Sequence, residues 1–305
     1  MAESTRSAGG PDPVAAAIPS IRALTDRLDA IGYIADEGLA TALFCAIRLP
    51  QPLLLEGEAG VGKTQAAKAL AEILGTPMFR LQCYEGIDAS EAMYEWNYPR
   101  QLLGIRVAEA AGTAIDEADL FSRDYLIERP LLQAVEHPGP MPAVLLIDEV
   151  DRADEEFEAF LLEMLAESAL TIPELGTVSA AVKPVVILTS NRTRDLHDAL
   201  KRRCLYHWID YPGLDQATAI VRARVPGASF HLSMQVSEAV QRIRSLDMQK
   251  PPGIAEAIDW VNAITLLGLS QLDADAVAAT LGSVAKYRED MDLVRERGTD
   301  WVAGG

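Results

Sequence analysis

Along this chain, short runs that are apolar throughout alternate with stretches whose apolar positions recur every three or four residues. The runs are PLLLEG (52–57), MFRLQC (78–83), AVLLID (143–148), VVILTS (185–190) and YHWIDY (206–211). Continuously apolar runs this short predict strands buried on both faces. With helical patterns between them, they predict a parallel sheet covered by helices on both sides. The clearest helix is DEEFEAFLLEMLAE (154–167), where Phe157, Phe160, Leu161, Met164 and Leu165 fall at i, i+3, i+4, i+7 and i+8. Acids crowd its first turn, where the helix dipole favours them.

After YPG (211–213) the strand pattern stops. LDQATAIVRARV (214–225), QVSEAVQRIRSL (235–246), GIAEAIDWVNAITLLG (253–268) and ADAVAATLGSVAKY (274–287) all carry helical spacing. The expected organisation is a flexible arm over residues 1–18, rich in Gly, Pro, Ser and Ala, an α/β domain over 19–212 and a smaller all-helical domain over 213–305. No internal repeat is present.

Charge narrows the partners. Acids outnumber Lys and Arg 45 to 27, giving a formal charge of −18. Nucleic-acid binders gain affinity by placing cations on phosphates, so general DNA or RNA binding is disfavoured. Cys45, Cys83 and Cys204 show no paired spacing, which suits free thiols in a reducing compartment. The first twenty residues lack an apolar core of the signal-peptide kind, and no apolar run approaches the ~20 residues of a membrane helix. A cytoplasmic protein without membrane insertion is expected.

The chemistry begins at Gly57-Glu58-Ala59-Gly60-Val61-Gly62-Lys63-Thr64, which fits G-x-x-x-x-G-K-[ST] and runs on into Gln65. Glycines let the backbone turn so that successive N–H groups surround a phosphate; Lys63 would reach the β- and γ-oxygens and the Thr64 hydroxyl would ligate Mg²⁺. A chance Gly-rich turn would lack the apolar strand before it and the amphipathic helix after it, whose N-terminal end faces the same anion. The reading is an ATP and Mg²⁺ site in a P-loop NTPase fold.

Some 80 residues on, Val144-Leu145-Leu146-Ile147-Asp148-Glu149 ends a buried strand in two carboxylates. Asp148 would hold the metal through water, and Glu149 could take a proton from the attacking water. VVILTSN places Asn191 at the end of another strand, where an amide can orient water or sense the γ-phosphate. Many Asn in such places merely form turns. Arg202 and Arg203 close a short helix, where one of them, Arg203 first, could reach an adjacent subunit's nucleotide as a finger. As surface cations at a helix C-terminus they would also be ordinary. Between the second and third runs, Tyr84, Tyr94, Trp96 and Tyr98 either line a pore or client surface or pack an inserted helix or hairpin. His197 and His207 flank Cys204 without the spacing or number of a zinc site.

In the order of these motifs the chain resembles the AAA+ superfamily, over roughly residues 20–270, and within it the MoxR family. YEWNYPRQLL, LIDEVDRADEEFEAFLLEML, LTSNRTRDLHDALKRRCLYHWIDYP and KPPGIAEAIDW are similar to CoxD-type members. The resemblance implies an AAA+ core with a C-terminal helical lid and a chaperone-like ATPase in a homo-oligomeric, hexameric ring. It implies a partner with a von Willebrand factor A domain and a client metalloenzyme such as a molybdenum hydroxylase or carbon monoxide dehydrogenase. It also implies that Tyr33 and Ile34, in GYIADE, contact adenine. One departure stands out: the lid arginine that many relatives place on a late helix is here Glu256, with Lys250 ahead of two prolines. Two other functions share these motifs, a DNA-transaction ATPase and a module whose partner affinity is gated by nucleotide.

Overall fold

The structure, a computed structural model, describes residues 12–49, 51–113 and 116–304. Residues 1–11 of the expected arm lie outside the described residues, but its end is helical, with α1 (Pro13–Ala17) capped by Asp12. Helices α2 (Ile21–Ala30) and α3 (Glu37–Arg48) lead to β1 (Leu53–Glu56), α4 (Lys63–Leu74) and β2 (Met78–Gln82). An insertion follows: α5 (Ala89–Met93), β3 (Tyr94–Trp96), α6 (Tyr98–Ala111), α7 (Glu117–Leu120) and β4 (Leu126–Glu128). Next come α8 (Pro130–Glu136), β5 (Val144–Asp148), α9 (Glu155–Glu167), β6 (Ala169–Ile172), β7 (Gly176–Ser179), β8 (Val185–Ser190), α10 (Asp198–Arg203) and β9 (Leu205–Trp208). The chain ends in α11 (Leu214–Arg224), α12 (Phe230–Arg244), α13 (Ile254–Leu266), α14 (Ala274–Thr280), α15 (Arg288–Arg297) and α16 (Thr299–Ala303).

All five apolar runs are strands of one sheet, in the order β2-β5-β8-β1-β9. β2, β5 and β8 pair in parallel. The three inner strands are buried at every position while β2 and β9, at the edges, are only partly so, as strands covered on both faces require. Two short antiparallel pairs, β3–β4 and β6–β7, were not expected from the pattern.

By its contacts the chain forms two compact units. The first takes the described residues up to Leu24 with Thr41–Leu55 and Ala67–His207; the second takes Thr25–Ala40, Glu56–Ala66 and the residues from Trp208 on. Leu54, Leu145, Ile147 and Leu188 of the sheet share the first core with Phe157 and Leu161 of α9. The second core centres on Trp260, fully buried, whose indole N–H donates to Thr280 at 2.6 Å. α12 begins five residues before the pattern suggested because the Ser229 hydroxyl accepts from Leu232 N–H at 3.1 Å.

Candidate active site

In the second unit, the phosphate-loop motif runs from the end of β1 into α4, which begins at Lys63. Gly57, Gly60 and Gly62 have φ of 154°, 80° and 102°, in the region that favours glycine. At Gly57 a Cβ would stand 2.3 Å from the Ile209 carbonyl oxygen, so only glycine fits there. Lys63 is 7% exposed, and its ammonium donates to the carbonyls of Gly57 and Glu58 at 2.7 and 2.8 Å. A Cβ on Gly62 would meet nothing within 4 Å, leaving room for an anion beside a helix N-terminus and an ammonium. A phosphate chain fits these donors.

The lid sequence reaches the same loop. Ile254 N–H donates to the Gly60 carbonyl at 3.1 Å, and Glu256 Oε2 accepts from Gly253 N–H at 2.9 Å. Glu256, where the resemblance led one to look for an arginine, therefore caps its own helix; a Cβ on Gly60 would lie 3.1 Å from its carboxylate. Tyr33 and Ile34 belong to this unit too, and Gln216 of α11 approaches the Ile34 carbonyl at 3.5 Å. Burial, then Asp36, push the Tyr33 hydroxyl above the ordinary phenol range.

In the first unit, Asp148 closes β5 and is 2% exposed. Thr189 of β8 donates its hydroxyl to Asp148 and accepts Glu149 N–H at 2.9 Å, so one side chain fixes both acids. Arg80 of β2 pairs with the other Asp148 oxygen at 2.6 Å. Glu149 has φ 55° and ψ 49°, left-handed for a residue that is not glycine, which turns the chain sharply out of the strand. Its carboxylate accepts from Gln82 at 3.1 Å and pairs with Arg152 at 2.8 Å. Cys83 lies beside these acids, and burial, helped by Asp148, Asp151 and Glu149, pushes its thiol up to about 12.

Asn191 follows β8 and is held by its main chain. Asp151, buried just past β5, accepts from Asn191 N–H at 3.2 Å, from Thr193 N–H at 2.8 Å and from the Thr193 hydroxyl at 2.7 Å. The next turn is pinned by Glu158 of α9, 1% exposed, which binds Arg194 and accepts His197 N–H at 2.8 Å. Farther on, Arg203 donates to the Leu162 carbonyl of α9, while Arg202 is exposed with no partner among the described residues. His197 caps α10 through Nδ1, at 3.2 Å from Ala199 N.

Sequence reasoning missed Arg80, Gln82, Arg152, Asp151, Glu158 and Thr189. Arg152 meets Glu149 from three residues on, but the other five act across strands or loops far apart in the chain, and only the parallel register that puts Gln82 opposite Asp148 reveals the first two. The aromatics separate: Trp96 is buried, packed edge-to-face on Tyr94 and Phe121, whereas Tyr84 and Tyr98 are exposed.

The sequence pattern of the family described as AAA domain (dynein-related subfamily) matches residues 52–204, from the start of β1 to the end of α10. The chain belongs to this AAA family. Its AAA domain thus contains the loop, the two acids, Asn191 and both arginines, an arrangement that supports nucleotide-dependent activity. Uncharacterized proteins of Staphylococcus aureus strains USA300 and MW2 are 28% identical over 178 residues, 56% of this chain and 59% of theirs. The chain thus spans 59% of the length of the curated relatives it matches. Among solved structures, the Holliday junction branch migration motor RuvB of Thermotoga maritima is 15% identical with a TM-score of 0.45, covering 82% of this chain and 69% of that one. A point mutant of the same motor gives 14% and 0.46, over 83% and 68%.

The metal the AAA family implies takes hard oxygen donors, and the two residues expected to supply them fall in different units, Thr64 in the second and Asp148 in the first. No group of three or more His, Cys, Asp or Glu among the described residues could hold an ion by itself. Mg²⁺ needs no such cage when it arrives on a nucleotide. No helix among the described residues is long and apolar enough to cross a membrane.

Proposed function

We propose that this AAA protein is a Mg²⁺-dependent ATPase that remodels a client protein as a homo-oligomeric, hexameric ring of MoxR type. Its client would be a metalloenzyme of the molybdenum hydroxylase kind and its partner a von Willebrand factor A domain protein. The observation that carries the hydrolytic part is Thr189 fixing Asp148 and Glu149 together, on a chain whose Lys63 is seated on a glycine loop. The client, partner and ring rest on the resemblance of the motifs.

Mg²⁺, when bound, would neutralise charge on the phosphate oxygens. Lys63 and the loop amides would hold the anion, with Gln65 in the first turn of α4; Thr64 and Asp148 would hold the metal. Glu149 takes a proton from water onto its carboxylate while Asn191 orients that water. Arg203, or Arg202 in its place, stabilises negative charge in the site of the next subunit. Tyr33 and Ile34 contact the base.

The test is hydrolysis by the full chain. Lys63→Ala should lose nucleotide binding, and Glu149→Gln should bind and barely turn over. Arg203→Ala should be inactive alone yet recover when mixed with Glu149→Gln subunits, with Arg202→Ala as the paired control. Equal turnover by wild type and Glu149→Gln contradicts the general-base role.

A second reading, a nucleotide-gated switch, is favoured by one observation: Glu149 is engaged by both Gln82 and Arg152. Turnover that stays flat when a binding partner is added supports the switch; turnover that climbs supports remodelling.

A further inference from the structure

Beside the β3–β4 pair, within the first unit, lies a cavity of about 880 Å³, in the size range of ligand sites. Its walls are aromatic, with Tyr84, Tyr94, Trp96 and Tyr98 all lining it. Tyr94 and Trp96 are locked edge-to-face with centroids 5.8 Å apart, and Phe121 supports Trp96 at 5.2 Å, so this wall is preformed. Tyr84 and Tyr98 leave 49% and 61% of their surfaces exposed, a cost the fold does not recover by packing them.

Charge selects the ligand. Glu91, Glu95 and Glu174 line the cavity, and Arg129 is the one cation among the described residues that do. Arg129 pairs with Glu95, so these two cancel. Glu91 accepts only the Tyr84 hydroxyl, at 2.8 Å, and the Glu174 carboxylate has neither ion pair nor hydrogen bond among the described residues. Two carboxylates without a cation thus stand beside aromatic rings, whose faces attract cations. Burial, then Glu174, raise the Tyr94 hydroxyl above its ordinary value, in keeping with a negative field.

Trp96 adds an independent requirement. It is 6% exposed, and its indole N–H is buried with no acceptor among the described residues. A buried donor of this kind calls for a carbonyl or water. An anion would be repelled here, and an apolar guest would leave both carboxylates and the N–H unanswered. A cation carried on a chain of carbonyls answers all three.

We infer that this cavity binds a lysine or arginine side chain presented on an extended stretch of another protein, the cation lying among the rings and the two carboxylates that lack a cation, Glu91 and Glu174, and a main-chain carbonyl meeting Trp96. That the stretch belongs to a client rests on the remodelling reading above; the peptide site does not.

Fluorescence anisotropy of the full chain with a labelled pentapeptide of alternating alanine and lysine tests the site. The same peptide with norleucine for lysine should bind at least about tenfold more weakly. Glu174→Gln and Tyr98→Ala, both at exposed positions, should each weaken the lysine peptide about tenfold, while Glu155→Gln on α9 leaves it unchanged. Trp96→Phe, which keeps the ring packing, should also weaken it. Carbodiimide cross-linking of the lysine peptide to wild type should map to Glu91 and Glu174, an outcome that needs no variant to fold. Equal weakening by Glu155→Gln, norleucine binding as tight as lysine, or cross-links scattered over the acidic surface each overturn the inference. Nucleotide affinity measured on the same variants should stay at the wild-type level, so failure of the peptide site is distinct from failure of the ATPase reading.

Discussion

The side-chain amide of Gln82 bridges two functional groups: it donates to the Glu149 carboxylate at 3.1 Å and receives Arg80 on its oxygen. Arg80 in turn pairs with Asp148, so both acids at the end of β5 are tied to β2. With Arg152 on its other side, Glu149 has donors competing with water for its lone pairs. Exposed contacts of this kind are each worth about 0.5–1 kcal/mol. Gln82→Ala and Arg152→Ala should therefore each raise basal ATP turnover about two- to fivefold, with nucleotide affinity unchanged. Turnover falling to the Glu149→Gln level would mean that these residues aim the carboxylate instead of restraining it.

The loop carrying Asn191 depends on buried acids. Arg194→Ala would leave Glu158, 1% exposed, without its cation. Breaking a buried pair from one side costs about 3 kcal/mol. Urea denaturation should show a loss of that size, whereas Arg288→Ala, removing a 3.8 Å pair between exposed groups, should cost little.

A glycine contact ties α13 to the phosphate loop. A Cβ on Gly253 would lie 2.8 Å from the backbone carbonyl of Gly60. Gly253→Ala must shift one backbone or the other, so it should cost about 1–3 kcal/mol and weaken nucleotide binding. Gly282→Ala, whose Cβ meets nothing within 4 Å, is the control in a thermal melt and a fluorescent-nucleotide titration.

The sheet was readable from sequence because its inner strands are apolar on both faces, a signal local enough to survive without tertiary context. Helix α9 was readable for a related reason: Phe157, Leu161 and Met164 form its buried stripe, and Asp154 caps Phe157 N–H at 2.9 Å. The β6–β7 pair was not, since ALTI and GTVS are only four residues each and joined by no Asn-Gly or Asp-Gly turn. Helix α15 hid because REDMDLVRER buries only Asp290 and Val294, too few for an apolar stripe. Asp290 earns its place by accepting from Gln249 and Lys250 N–H at 2.8 and 3.2 Å, contacts no spacing foretells. Motif residues such as Lys63, Asp148 and Glu149 could be named because their chemistry is fixed by neighbours in sequence. Their restraints could not, because Gln82, Arg80 and Thr189 meet them only through strand register.

Two thiols give a pH signature. Burial raises Cys83 and Cys204 from 9.0 to about 12, with nearby acids adding to the effect at Cys83. A group whose pKa is raised by folding contributes stability that is complete below its unfolded value and fades as pH climbs toward the folded one. Stability should accordingly decline between pH 9 and 12. At pH 8 native Cys83, 1% exposed, should resist iodoacetamide and react once the chain is unfolded; rapid native labelling of it would contradict its burial.

Calorimetric titration of the folded full chain with Mg²⁺-ATP is the most direct check on the central claim, that Lys63 and the glycine loop grip a triphosphate. Saturable uptake of one nucleotide per chain by wild type, abolished in Lys63→Ala, is the predicted result. No binding heat from folded wild type, or equal uptake by both proteins, would contradict it.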